Sequence, residues 1–245
     1  MGLAWFGDPH LDSPGCDIDA LERDIDIVQR TPGMFAANAG DSIDNWVGRL
    51  VKFKGKSHIT DKEAWRLAEW FLDALGDRWV VWVMGNHDEW NEGVHVFERL
   101  GDRLVPMDDW NARIVLRFDN GRECRVHMAH DFKGHSQYNP VHGMKKADLW
   151  SVGDAQVYLG GHKHETMMSR YPCPYRGKPI IYGRAMGYKA IDGYGDKLGF
   201  SRQAEGETIA LIFDQDAKDE SGFVTEFTNL EVAADFLTFL RKRAA

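Results

Sequence analysis

Apolar residues fall along this chain in short blocks, and the early blocks run into glycine-marked polar stops. Residues 3–6 form an apolar run of strand length that ends at Gly7 and Asp8. Ile18, Leu21, Ile25 and Val28 then recur at helical spacing, and Pro32 and Gly33 stop that helix. Residues 34–39 form a second buried strand leading to Gly40 and Asp41. Thr60 and Glu63 have the spacing of a capping box. Ala64, Leu67, Ala68, Phe71, Leu72 and Leu75 mark one face of the helix that follows, which Gly76 closes. Residues 79–84 are continuously apolar and run into Gly85, Asn86 and His87. The order strand, helix, strand, helix, strand predicts an α/β fold with a mostly parallel sheet. In such sheets, sites form beyond the carboxyl ends of the strands.

The second half changes character. Residues 112–118 and 122–128 flank Asp119, Asn120 and Gly121, a hairpin signal. Residues 155–159 lead to a further glycine-rich stop, Gly160 to His164. Residues 165–171, 178–182, 208–213 and 222–227 read as further strands, and Val232, Phe236 and Leu240 mark a closing helix. A second, more antiparallel sheet packed on the first fits this pattern. Lys52, Lys54 and Lys56 alternate around Phe53 and Gly55, as on one face of an exposed hairpin.

The chain has 245 residues, of which 43% are hydrophobic, enough for a sizeable core. No linker or repeat divides it, so one domain over residues 1–245 is expected. The net charge of −8 weighs against binding nucleic acid by a broadly basic surface. Three widely spaced cysteines, Cys16, Cys124 and Cys173, suit reduced thiols in a cytoplasmic protein. No membrane span of about 20 apolar residues is visible, so no membrane partner is expected.

The polar stops carry the chemistry. In chain order they are Asp8-Pro9-His10, Gly40-Asp41, Gly85-Asn86-His87-Asp88, His130, and Gly161-His162-Lys163-His164. Alone, each is an ordinary loop. Together they offer carboxylate, amide and imidazole donors, a set able to hold two divalent ions. Asp8 and His10, like His162 and His164, are two residues apart and can reach one side of a strand end. His130 follows an apolar strand; His127 reads as a strand histidine, and His135 and His142 as loop residues.

The ordered set D-x-H, G-D, G-N-H-[DE], H, G-H-x-H resembles that of the calcineurin-like metallophosphoesterases, over positions 8 to 164. The resemblance implies a four-layer αββα sandwich of two mixed β-sheets flanked by helices. It implies that Asp8, His10 and His164 bind one metal ion, that Asn86, His130 and His162 bind the second, and that Asp41 bridges them. It makes His87 the catalytic histidine beside the leaving group. Asp44 matches the second Asp of a G-D-x-x-D variant and is a candidate to orient His87, with Asp88 as the other candidate. Protein Ser/Thr phosphatases of the superfamily carry Arg where Asn45 stands, and purple acid phosphatases carry Tyr where Asp44 stands. Both branches are disfavoured.

Two divalent ions against Asp8, Asp41 and a bridging hydroxide leave roughly one positive charge, which attracts a phosphate anion. The expected reaction is hydrolysis of a phosphodiester or phosphomonoester by that hydroxide, with His87 as general acid. Manganese is the first expectation; Fe, Zn, Co or Ni also suit nitrogen and oxygen donors. Lys133, His135, Arg184 and Lys189 are candidates to contact substrate, and Trp46 and Trp90 to stack on a base or wall the pocket. Residues 183–200 suggest a long loop over the site. The substrate is expected to be a small molecule or nucleotide. The alternatives are a nucleic-acid substrate, cleaved as by the double-strand-break repair nucleases, and a non-catalytic scaffold.

Overall fold

The computed structural model describes residues 1–91, 105–136, 138–150, 153–189 and 206–244, with positions 95, 98, 100 and 101, and omits the side chain of Lys56. Its first elements follow the hydrophobic pattern closely. They are β1 (Gly2–Phe6), α1 (Ile18–Arg30), β2 (Met34–Asn38), α2 (Asp61–Leu75) and β3 (Trp79–Val83). Asp17 caps α1 through its side chain, and Thr60 and Glu63 form the expected reciprocal box on α2. A single turn, α3 (Asn86–Glu89), and a short strand, β4 (Met107–Asp108), follow. The second half contributes β5 (Asn111–Arg117), β6 (Glu123–Ala129), α4 (His142–Trp150), β7 (Val157–Gly160), β8 (Met167–Tyr171) and β9 (Ile180–Arg184). It ends with β10 (Thr208–Phe213), α5 (Glu220–Phe223), β11 (Val224–Phe227) and α6 (Leu230–Ala244).

Among the described residues the strands form two mixed sheets. One has the order β11-β10-β1-β2-β3-β4 and the other β5-β6-β7-β9-β8. Strands β1 to β4 run parallel, as do β6, β7 and β9. Leu3, Trp5, Val81, Val126, Leu159 and Leu211 belong to the core that fills the space between the sheets. Trp5 also donates its indole N–H across that space to the carbonyl of Gly160 at 2.9 Å. Helices α1, α2 and α6 cover the outer face of the six-stranded sheet, and α4 that of the other. The expected αββα sandwich is thus the observed architecture.

Three expectations change. Residues 208–213 join the first sheet, pairing antiparallel with β1, and the strand read at 222–227 follows them there as β11; neither extends the second. The pairing with β10 protects the edge of β1, all five of whose residues are buried. Gly48–Lys56 is a 3-10 helix, not a hairpin, and Phe53 packs against Trp46 at 5.5 Å. Gly183 and Arg184 belong to β9, not to a loop, and residues 190–200 lie outside the described residues. No helix among the described residues is long and apolar enough to cross a membrane.

Candidate metal centre

The parallel strands deliver their carboxyl ends to one place. Asp8 follows β1, Asp41 follows β2, Asn86 and His87 follow β3, His130 follows β6, and His162 and His164 follow β7. The turns are tight enough to need glycine. Gly40 has φ +94°, and a Cβ on it would lie 2.3 Å from the backbone nitrogen of Gly85. A Cβ on Gly85 would lie 2.1 Å from Asp41 Oδ1. The donors themselves carry strain. Of seven described non-glycine residues with positive φ, four are His10, Asp41, His162 and His164. Such conformations cost free energy and persist where the surroundings enforce them, often at functional sites.

Asp88 does the enforcing at two of these turns. Its fully buried carboxylate accepts the backbone N–H groups of Asp41 at 2.6 Å, Ser42 at 2.9 Å and Gly85 at 2.9 Å. It does not contact the His87 ring as an orienting partner; it ties the β2 turn to the β3 turn. The sequence gives no signal for this beyond the motif itself.

Two donor groups result. In one, His130 Nε2 lies 3.0 Å from Asn86 Oδ1, 3.0 Å from His162 Nδ1 and 3.3 Å from Asp41 Oδ2. In the other, His10 Nε2 and His87 Nε2 lie 3.8 and 3.9 Å from the same Asp41 oxygen. His164 stacks on His10 with ring centres 5.2 Å apart. Asp8 borders the first group: Oδ2 accepts the backbone N–H of His162 at 2.7 Å and Oδ1 is 3.4 Å from His130 Nδ1. The tight group around His10 therefore includes His87, while Asp8 leans toward His130.

Outer polar contacts set which imidazole nitrogen faces inward. His130 Nδ1 faces the carbonyl of Ala39 at 2.8 Å, which leaves Nε2 for the site. His10 Nδ1 is 2.8 Å from Asp44 Oδ1, and the Lys189 ammonium is 2.7 Å from that same oxygen. The His87 ring meets Asp44 through the backbone carbonyl. Asp44 therefore does approach His87, but its carboxylate is committed to His10 and Lys189.

Charge is balanced at close range. Burial disfavours an ionised Asp41, yet the imidazoles of His130, His87 and His10 outweigh it and hold the carboxyl well below the usual range. Burial opposes a proton on His130, but Asp41 and Asp8 prevail and lift it to about 10. Burial pushes His87 and His162 down to about 4 and His164 to about 3.

The donor set fits divalent ions. Donors about 3 Å apart can share one ion at roughly 2.1 Å from each. Asp8 Oδ1 and His10 Nε2 are buried without a hydrogen-bond partner. Leaving such atoms unpaired is costly, and a cation resolves it.

The expected substrate contacts divide. Lys133 and His135 are exposed on the loop after His130. Arg184, expected at a phosphate, is only 2% exposed and is committed to Glu165 at 3.2 Å, with Asp131 at 3.7 Å. It braces the loops that carry His130 and His164, because Asp131 follows the one and Glu165 the other. Lys189, Trp46 and Trp90 do border the site: the Lys189 ammonium sits 4.8 Å from the Trp46 ring centre, and both indoles pack on His87. His127 faces away, against Phe132 and Tyr158.

No family model matches the chain, and neither does any curated protein. Among solved structures it is similar to the NAD nucleotidase of Haemophilus influenzae, at 12% identity and a TM-score of 0.48, over 93% of this chain and 49% of that one. It spans about half the length of that protein. It is also similar to a conserved uncharacterized protein of Streptococcus pneumoniae described as a predicted phosphoesterase, at 13% identity and a TM-score of 0.41, over 94% of this chain and 98% of that one. Likenesses of this depth do not assign a reaction. The resemblance to the calcineurin-like metallophosphoesterases rests on this chain's own five motifs and on where its fold gathers them.

Proposed function

We propose that the chain is a two-metal phosphoesterase that hydrolyses a phosphodiester or phosphomonoester of a small molecule or nucleotide. One observation carries the reading. Asp41 Oδ2 faces donors of both groups, with His130 Nε2 at 3.3 Å, His10 Nε2 at 3.8 Å and His87 Nε2 at 3.9 Å. A carboxylate so placed can serve two ions at once. Asn86, His130 and His162 would hold one ion with Asp41; His10, His164 and Asp8 would hold the other. When bound, two divalent ions draw phosphoryl oxygens and acidify water enough to supply a nucleophile near neutral pH.

The remaining chemistry belongs to the chain. His87 is the one imidazole of its group that the resemblance leaves free of a ligand role, and its Nε2 faces the site. Burial pushes its pKa down to about 4, and an anionic ester within reach favours its protonated form. It can then pass that proton to the departing oxygen. Asp44 holds His10 through its carboxylate and His87 through its carbonyl, so one residue sets both rings. Cleavage of nucleic acid is the second reading. In its favour, Arg49, Lys52 and Lys54 line the 3-10 helix whose Phe53 packs on Trp46.

Purified protein loaded with Mn²⁺ and offered p-nitrophenyl phosphate, bis-p-nitrophenyl phosphate, cyclic nucleotides and single- and double-stranded DNA tests both. Hydrolysis of the small esters is expected. DNA cleavage alone would move the assignment to the second reading, and inactivity with every metal would refute both and leave a non-catalytic scaffold.

A further inference from the structure

Solvent reaches the donor cluster from one side. Asp8, His10, Asp41 and His130 are no more than 1% exposed, whereas Asn86, His162 and His164 are half-buried. His87 is itself buried, 8% exposed, and two half-buried indoles pack on it. The Trp46 ring meets His87 edge-on at 5.0 Å between centroids, and the Trp90 ring lies at 4.0 Å. The indoles are 6.2 Å apart and inclined by 38°. Trp5 and Trp82, by contrast, are fully buried core residues.

A side-chain strut holds the pair. Asn45 Nδ2 donates to the carbonyl of His87 at 2.8 Å and to that of Trp90, and its Oδ1 accepts from Asn91 Nδ2 at 2.9 Å. Asn45 does this from φ +38°, which Asn tolerates better than most residues. The loops after β2 and β3 are thereby cross-linked, with both rings set against His87 before any ligand arrives. Cations border them: the Lys189 ammonium, paired with Asp44, lies 4.8 Å from the Trp46 ring centre, Phe53 continues the aromatic row, and the Lys52 ammonium lies 5.1 Å from its ring centre.

We propose that Trp46 and Trp90 form a stacking subsite for a flat ring on the leaving group, so that the preferred esters are nucleotides. The inference rests on the phosphoesterase reading, in which His87 stands beside the leaving oxygen and rings packed on His87 meet the leaving group next. A nucleobase is a flat ring tied to phosphate through a short sugar. It offers both the face that indoles stack on and the anionic charge that the donor cluster would hold through its ions. An alkyl ester offers only the charge.

Calorimetric binding of adenosine monophosphate and ribose 5-phosphate to the metal-free protein tests this without turnover. The base is expected to tighten binding roughly tenfold, the effect of stacking one ring. W46L and W90L, with melting curves to verify folding, should bring that ratio toward one, and W90F should keep it. Equal binding of the two ligands by the unaltered protein would overturn the subsite, as would an unchanged ratio in both leucine variants. A short thymidine strand compared with thymidine monophosphate separates the two sources of the ring: tighter binding of the strand points to a strand end and equal binding to a free nucleotide, and both sustain the subsite. Base-dependent binding in a protein that hydrolyses no ester would sink the phosphoesterase reading and spare the subsite. Hydrolysis with no base dependence would do the reverse.

Discussion

Asp44 shows how much one residue can set at this site. Its carboxylate holds the His10 ring and its carbonyl holds the His87 ring, while Lys189 neutralises it. Removing the carboxylate's negative charge should therefore be felt at one ion. Asp44→Asn is expected to weaken one of two Mn²⁺ affinities by about 10- to 100-fold, the usual effect of losing an outer partner of a ligand imidazole. Titration calorimetry reads this directly, and two unchanged affinities would refute the role. His87→Gln should keep both affinities and lose rate. Gly85 is a second sensitive residue. A Cβ there would strike Asp41 Oδ1, so Gly85→Ala should cost about 2 kcal/mol or more and reduce the bound metal. Denaturant melts and metal analysis check both parts.

At the scale of elements, the turns matter more than the strands. Asp88 accepts three buried backbone N–H groups from the β2 and β3 turns. Asp88→Ala would strand those donors and should destabilise the protein by about 3 kcal/mol or more, read as a shift in the urea midpoint. An unchanged midpoint would count against the tie. The first three strands and first two helices were legible because each pairs an apolar run with a glycine stop or a cap. Helix α4 was missed because it spans only nine residues and leaves Leu149 and Trp150 exposed, so no apolar face recurs at helical spacing. The placement of β10 was missed because period-two patterning marks a strand without naming its neighbour. The motifs marked the donor residues, but not which atoms meet. Asp44's split between carboxylate and carbonyl, the Asn45 strut and the burial of Arg184 depend on loop geometry that no spacing rule encodes.

At the scale of the molecule, two sheets aim their parallel strands at one buried cluster, and the rest of the protein carries the cost of holding it. His127 belongs to that remainder. It packs against Phe132 and Tyr158, and burial pushes its pKa down to about 4. Between about pH 6.5 and pH 4 the unfolded chain binds a proton there that the folded chain refuses. Stability is therefore lost as pH falls through that window, by at most about 1.4 kcal/mol per pH unit. His127→Phe should flatten that part of the profile in urea unfolding; an unaltered slope would contradict it. Two ions shared by Asp41 are what the proposed phosphoesterase activity requires. The most direct measurement follows bis-p-nitrophenyl phosphate hydrolysis as Mn²⁺ is titrated into metal-free protein. The rate is expected to rise to a plateau at two equivalents, with Asp41→Asn reaching neither that rate nor that stoichiometry. A rate indifferent to added or chelated metal, or no hydrolysis at saturating Mn²⁺, would contradict it.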